Sequence, residues 1–159
     1  MAGAGWCAST RGDAVRAFDL DALRHPPRAN PQWKQFADQD VTGAAVVGDV
    51  LYVANGGGSY AKEVFGKKGF MTALDVRSGK VLWRSQPLVT GGAFAVHGDY
   101  LISGYGFTDE PDYLYLLRRA DGSVAQRVSV PSAPGDIYLD GGIVRVDAYD
   151  GPYDFDLLP

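Results

Sequence analysis

Residues 70–83, FMTALDVRSGKVLW, decide the fold. An apolar run ends at Ala73-Leu74-Asp75, a polar turn follows at Arg77-Ser78-Gly79-Lys80, and a second apolar run closes on Trp83. Two short apolar runs around a glycine-bearing turn read as a β-hairpin. Asp75 is placed to order the Ser78-Gly79 turn through its side chain. Trp83 is expected to pack between neighbouring layers of sheet rather than stack on a cofactor.

Outward from this hairpin the same order of elements recurs. Residues 41–47 and 50–54 (VLYVA) are strands about a Gly48-Asp49 turn, and residues 55–69 form a loop that leads into the hairpin. Downstream, residues 92–97 and 100–103 flank Gly98-Asp99, residues 104–112 read as a loop, and residues 113–117 and 124–130 flank a turn at Ala120-Asp121-Gly122-Ser123. A further copy has residues 136–139 and 143–146 about Gly141-Gly142, a link at 147–152, and a strand at 153–158. Upstream, residues 5–10 and 14–20 are strands about Arg11-Gly12-Asp13. A proline-rich break at 21–31 and a short run bearing Trp33 follow. The Arg-Gly-Asp triplet matches an integrin-ligand tripeptide, but a turn explains it.

The spacing is periodic. Gly48-Asp49 returns at Gly98-Asp99 and as Asp140-Gly141, steps of about 50 and 43 residues, and Leu74 corresponds to Leu117 and then Phe155. Steps near 40–45 residues with four strands each mark a β-propeller blade, whose four-stranded meander buries its faces only by stacking on its neighbours. Small residues such as Ala73 permit the close approach. No segment carries helical i, i+3, i+4, i+7 spacing between caps. A β-sandwich would leave the repeated turn spacing unexplained. The expectation is an all-β, partial or oligomer-completed β-propeller. It has a partial blade at 6–38, complete blades at 41–86 and 91–130, and a partial blade at 136–158.

Composition bounds the function. The chain has 159 residues, 46% of them apolar and 21% charged, with 21 glycines, 9 tyrosines and 3 tryptophans. That suits one globular domain of short strands and tight turns. A net charge of −4 and the lack of a long basic run argue against a nucleic-acid partner. No apolar run reaches the length of a membrane span, and the first ten residues carry no signal-peptide pattern. Cys7 is the single cysteine and is read as a small buried apolar residue.

Residues 73–83 resemble the blade motif of the PQQ-like (quinoprotein-type) β-propeller repeat family. The residues that carry the likeness are Ala73, Asp75, Gly79 and Trp83, and GDVLYVANG at 48–56 is similar to the inner strand of that motif. The second copy has Leu116-Leu117-Arg118 and Ala120-Asp121-Gly122-Ser123, with Gln126 in the tryptophan position. The resemblance implies a bacterial, exported or periplasmic setting, and further propeller blades or copies of this chain as partners. In the enzymatic branch it implies a quinone and a calcium ion, with an Asp base and a vicinal cysteine pair. The chain has no such pair, so no cofactor is expected. Quinone and calcium remain the alternatives to test.

Four features bear on chemistry. In the 55–69 loop, Tyr60 and Phe65 are suited to stack on a ligand, and Lys62, Lys67 and Lys68 to meet an anion. The Walker pattern fails, because Lys68 stands where Ser or Thr is needed and Ala61 where the first glycine is. A solvated connection is the plainer reading. Asp147, Asp150, Asp154 and Asp156 are a candidate calcium set, although the spacing is not that of an EF-hand. Asp109, Glu110 and Asp112 read as a solvated acidic turn. His25 and His97 stand in no signature that pairs them with a nucleophile. The leading expectation is a non-catalytic module that binds or scaffolds a protein or ligand. The alternatives are a piece of a quinone-dependent dehydrogenase and a carbohydrate-binding propeller.

Overall fold

The computed structural model describes residues 6–11, 14–19, 41–56, 68–107 and 110–157. Among them the chain is all β. Strands β1 (Trp6–Arg11) and β2 (Ala14–Asp19) form an antiparallel hairpin. Four-stranded meanders follow, first β3 (Val41–Val47), β4 (Val50–Asn55), β5 (Phe70–Asp75) and β6 (Val81–Arg84). The second comprises β7 (Phe94–His97), β8 (Tyr100–Phe107), β9 (Glu110–Arg118) and β10 (Val124–Ser129). A three-stranded sheet ends the series, with β11 (Pro134–Asp140), β12 (Ile143–Ala148) and β13 (Gly151–Asp156). The architecture is that of a partial β-propeller.

The two-residue period of each strand feeds two layers at once. Tyr52, Ala54, Met71 and Ala73 leave one face of the first meander and meet Leu101, Tyr105, Tyr115 and Leu117 of the second. Ile102 and Leu114, offset by an odd number along the same strands, face Ile137, Val144 and Val146 of the third sheet. Leu51, Val53 and Leu74 form a further cluster on the other face of the first meander. Strand β4 is thus buried on both faces, which explains its unbroken apolar run. Each fully buried leucine or methionine contributes about 1.5–3 kcal/mol.

The hairpin turn is built as its sequence implies. The Asp75 carboxylate accepts from the Ser78 N–H at 2.7 Å and from its hydroxyl at 2.6 Å. Gly79 takes φ 68° and donates to the Asp75 carbonyl at 2.8 Å. These hydrogen bonds, the Ser78 hydroxyl first, hold the Asp75 carboxyl below its usual range. The β9–β10 turn repeats the form, with Gly122 at φ 73° donating to Arg118 and the Asp121 carboxylate accepting from Ser123. Trp83 reaches this second turn. Its Nε1–H donates to the Arg119 carbonyl at 2.9 Å, and its ring lies so close to Gly122 that a Cβ there would sit 2.4 Å from it.

Two sequence expectations need correction. Residues 104–107 and 110–112, read as part of a loop at 104–112, belong to strands, because β8 runs on to Phe107 and β9 starts at Glu110. The glycines that suggested a loop make room instead. Gly104 lies against Pro134 and Gly106 against the Asp112 carboxylate, while Tyr105 pairs with Tyr113 across the strands. The third turn lies at Gly141-Gly142 as read, so it is this pair, rather than Asp140-Gly141, that repeats Gly48-Asp49. Val76, Arg119 and Leu157 each donate their N–H back across it, to the carbonyls of Asp49, Asp99 and Gly142 respectively. Gly142 is therefore the counterpart of Asp49 and Asp99.

Candidate functional site

The extended β8–β9 hairpin builds the most feature-rich part of the molecule. On one side its Phe107 and Glu110 flank Lys68, which is only 4% exposed. The Lys68 ammonium lies 3.3 Å from Glu110 and 4.3 Å from the centre of the Phe107 ring. Tyr105 donates its hydroxyl to the other Glu110 oxygen. Burial first, and the Glu110 carboxylate second, push the Tyr105 phenol far up, so it stays a proton donor at all ordinary pH. A buried ammonium is tolerated only when paired. The carboxylate and the aromatic face together supply that pairing.

On the other side, Phe107 and Gly106 form one wall of an open cleft of about 650 Å³. The opposite wall comes from Ser132 in the connection between the sheets and from Tyr149 and Asp150 at the β12–β13 turn. Asp112 lies in the cleft with one carboxylate oxygen buried and, among the described residues, without a hydrogen-bond donor. Its carboxyl is pushed up, by burial first and then by the negative charge of Asp150. Asp150 is held low by the hydroxyl of Tyr153, which donates to it at 2.6 Å. The Asp150 N–H donates to Ser132 Oγ at 3.2 Å. Tyr149 is 95% exposed at the rim. The cleft offers two carboxylates of unequal acidity beside aromatic walls, a surface for hydrogen-bonding or cationic groups.

Of the five loop residues singled out for ligand binding, Tyr60, Lys62, Phe65 and Lys67 lie outside the described residues. Lys68 is inside, and its charge is directed to Glu110 rather than to solvent. The four aspartates are spread over several partners. Asp154 makes a two-pronged pair with Arg145 at 2.8 and 2.9 Å, which holds its carboxyl low. Asp150 belongs to the cleft. Asp147 and Asp156 sit on β12 and β13, opposite Pro152 and Ile143. Among the described residues no three metal-ligating side chains gather as a metal ion requires. Asp147, Asp150, Asp154 and Asp156 therefore do not gather as the ligands of one calcium ion.

Glu110, Asp112, Phe107 and Tyr149 are site residues that the sequence reading missed. The acidic trio suggested a solvated turn, but Glu110 is an ion-pair partner inside a strand. The available signal was the alternation of aromatics at Tyr105 and Phe107 against Tyr113 and Tyr115, which marks paired strands.

Comparison with known proteins bears on the fold and the repeat family. The family model described as outer membrane protein assembly factor BamB, of the PQQ-like repeat type, matches residues 67–155. No curated protein sequence matches the chain. Among solved structures, BamB from Moraxella catarrhalis is similar over 99% of this chain and 44% of its own, at 17% identity and a TM-score of 0.61. A chain of the mitotic checkpoint complex is similar over 96% of this chain and 45% of its own, at 17% identity and a TM-score of 0.64. The quinohemoprotein alcohol dehydrogenase ADHIIG from Pseudomonas putida HK5 is similar over 91% and 27%, at 16% identity and a TM-score of 0.62. The chain spans less than half the length of each of these structures. At such identity the likeness concerns the fold, and the family rests on the matched repeat: the chain belongs to the PQQ-like repeat family of β-propellers.

Proposed function

We propose that this chain is a non-catalytic propeller module that binds or scaffolds another polypeptide. The observation that carries the reading is the open cleft between the second and third sheets, where Tyr149 stands exposed beside Asp112 and Asp150. Such a surface suits the polar and cationic groups of a protein partner. The description of BamB as an assembly factor is consistent with a scaffolding role. The likeness to a quinohemoprotein dehydrogenase favours the enzymatic alternative no further than the fold. The scatter of Asp147, Asp154 and Asp156, with Asp154 committed to Arg145, argues against it.

A photo-crosslinking residue in place of Tyr149 tests the reading in cells that express the whole protein. A discrete crosslinked partner is expected, reduced by the Asp112→Asn, Asp150→Asn double substitution. Dye reduction by purified protein with added quinone and calcium, lost in Asp75→Asn or Asp154→Asn, would overturn it.

A further inference from the structure

The first and second meanders meet at one junction, the second meander and the third sheet at another, and a ring that fills the first is missing from the second. At the first junction the Val89 N–H donates to the Gly69 carbonyl, and a Cβ on Gly69 would sit 3.1 Å from the Tyr105 ring. The Tyr105 hydroxyl and the Lys68 ammonium both go to Glu110. At the second junction the Val130 N–H donates to the Asp112 carbonyl, so Asp112 stands where Gly69 does, and Pro111 where Lys68 does. Counting from the Gly98-Asp99 and Gly141-Gly142 turns, Ala148 takes the place of Tyr105. A carboxylate has been added where the phenol and the ammonium have been lost, and it lines the open cleft of about 650 Å³.

The negative charge of this cleft is unbalanced. Among the described residues its lining carries Asp112 and Asp150 and no lysine, arginine or histidine, and neither aspartate enters an ion pair. One Asp112 oxygen is buried without a donor among those residues. The two carboxylates come from different sheets, yet Asp150 is near enough for its charge to be felt at Asp112. A positive group between them therefore relieves a repulsion as well as gaining two attractions. Aromatic rings stand on both walls, Phe107 on one and Tyr149 on the other. A bare metal ion is a poor match, since no third ligating side chain joins the pair among the described residues. The volume lies within the roughly 300–1,000 Å³ typical of ligand pockets.

We infer that this cleft binds the guanidinium of an arginine presented by a partner polypeptide, held between Asp112 and Asp150. This assignment rests on the reading of the chain as a binding module and names the group that its cleft recognises. Arginine is preferred to lysine because the acceptors lie on opposite walls. The five donors of a planar guanidinium reach both at once, whereas an ammonium is a compact point charge that sheds its water less readily. The same plane stacks on aromatic rings such as Phe107 and Tyr149. Tyr149, 95% exposed at the rim, offers a contact to the residues that flank the arginine, which favours a polypeptide over a free small cation.

The test is an amide NMR titration of the whole protein at neutral pH with the pentapeptide Gly-Gly-Arg-Gly-Gly, with its lysine and citrulline analogues, and with calcium chloride. The arginine peptide is expected to give saturable shifts at Gly106, Asp112, Ser132 and Asp150. Citrulline keeps the shape of arginine without its charge, and its peptide is expected to bind about 10-fold more weakly, the size of one hydrogen bond to a charged group. The lysine peptide is expected to fall between the two. Asp112→Asn and Asp150→Asn each remove one charge at constant shape, and each is expected to weaken the arginine peptide about 10-fold. Melting curves of both variants verify that they are folded. The proposal is overturned by no saturable shift, by shifts elsewhere, by citrulline or lysine binding as tightly as arginine, or by affinity that survives both substitutions. Calcium producing the same shifts also overturns it, in favour of a metal site. A partner crosslinked through Tyr149 alongside a silent titration would leave the binding-module reading standing and remove only the arginine site.

Discussion

The indole of Trp83, on the outer strand of one meander, donates to the carbonyl of Arg119 on the next, 2.9 Å away. Around that bond Arg119 donates to the Tyr52 hydroxyl at 3.1 Å and to the Gly98 carbonyl at 2.6 Å. Two sheets are thus joined by a clasp whose parts come from two strands of the first meander and two turns of the second. Trp83→Phe is expected to lose about 1 kcal/mol, the size of one net hydrogen bond. Trp83→Ala is expected to lose about 3 kcal/mol, because the ring area goes as well. Urea unfolding of the whole protein measures both.

Gly122 offers a second handle on the same contact. An alanine there would be strained at φ 73° and would drive a methyl into the Trp83 ring. Gly122→Ala is expected to cost more than about 1 kcal/mol. Combined with Trp83→Ala the extra loss shrinks, since only the backbone strain remains. Equal losses in both backgrounds would show that the ring and the turn do not touch in solution.

How far this arrangement could be read from the chain is clear from particular residues. Ala73, Asp75, Gly79 and Trp83 carry their roles locally, as turn chemistry, strand alternation and a large aromatic at a strand end, so their structural parts were legible. Glu110 and Lys68 were not, because their pairing joins residues 42 apart that meet only when two sheets stack. Gly104 and Gly106 misled for a physical reason: a missing Cβ frees the backbone and equally admits a neighbour.

The Lys68–Glu110 pair is expected to show the asymmetry of buried charges. Lys68→Met leaves Glu110 and the Tyr105 hydroxyl without their cation, and a loss of about 2–3 kcal/mol follows, below the range for fully buried pairs because Glu110 retains some exposure. The double substitution Lys68→Met, Glu110→Gln is expected to recover part of it, since no unpaired charge remains. A double-mutant cycle by chemical denaturation checks this. Additive losses would show that the two groups do not interact.

Calcium provides a check on the acidic residues of the third sheet. A ligand that binds the folded state alone at 100 times its dissociation constant stabilises by about 2.7 kcal/mol. With Asp154 held by Arg145 and its neighbours scattered, millimolar calcium is expected to leave the melting temperature unchanged. Arg145→Ala frees Asp154 but creates no cage, so the same result is expected in that variant. A rise in melting temperature specific to calcium over magnesium would show that these aspartates converge on a cation.

Asp112 sets the expected pH dependence of the cleft. Its carboxyl titrates above 3.8 in the folded chain, because burial and Asp150 disfavour the charged form. The folded state therefore holds this proton more tightly than the unfolded state does. The resulting stabilisation is complete below the unfolded value and is lost as pH rises through the folded value. Asp112→Asn keeps the shape and removes the charge, so the variant is expected to melt higher than the wild type near neutral pH. The gain should shrink toward zero as pH falls below about 4, where the wild-type group is itself neutral. Asp75, Asp121, Asp150 and Asp154 act in the opposite sense. Their lowered values give stability that is present above the unfolded range and lost on acidification. Melting curves of wild type and Asp112→Asn from pH 3 to 8 separate the two trends, since Asp75, Asp121 and Asp154 are common to both proteins and cancel in the difference, leaving Asp112 and its coupling to Asp150. A difference that does not vary with pH would mean that Asp112 is no more perturbed in the fold than in the unfolded chain, and that the cleft presents two ordinary carboxylates.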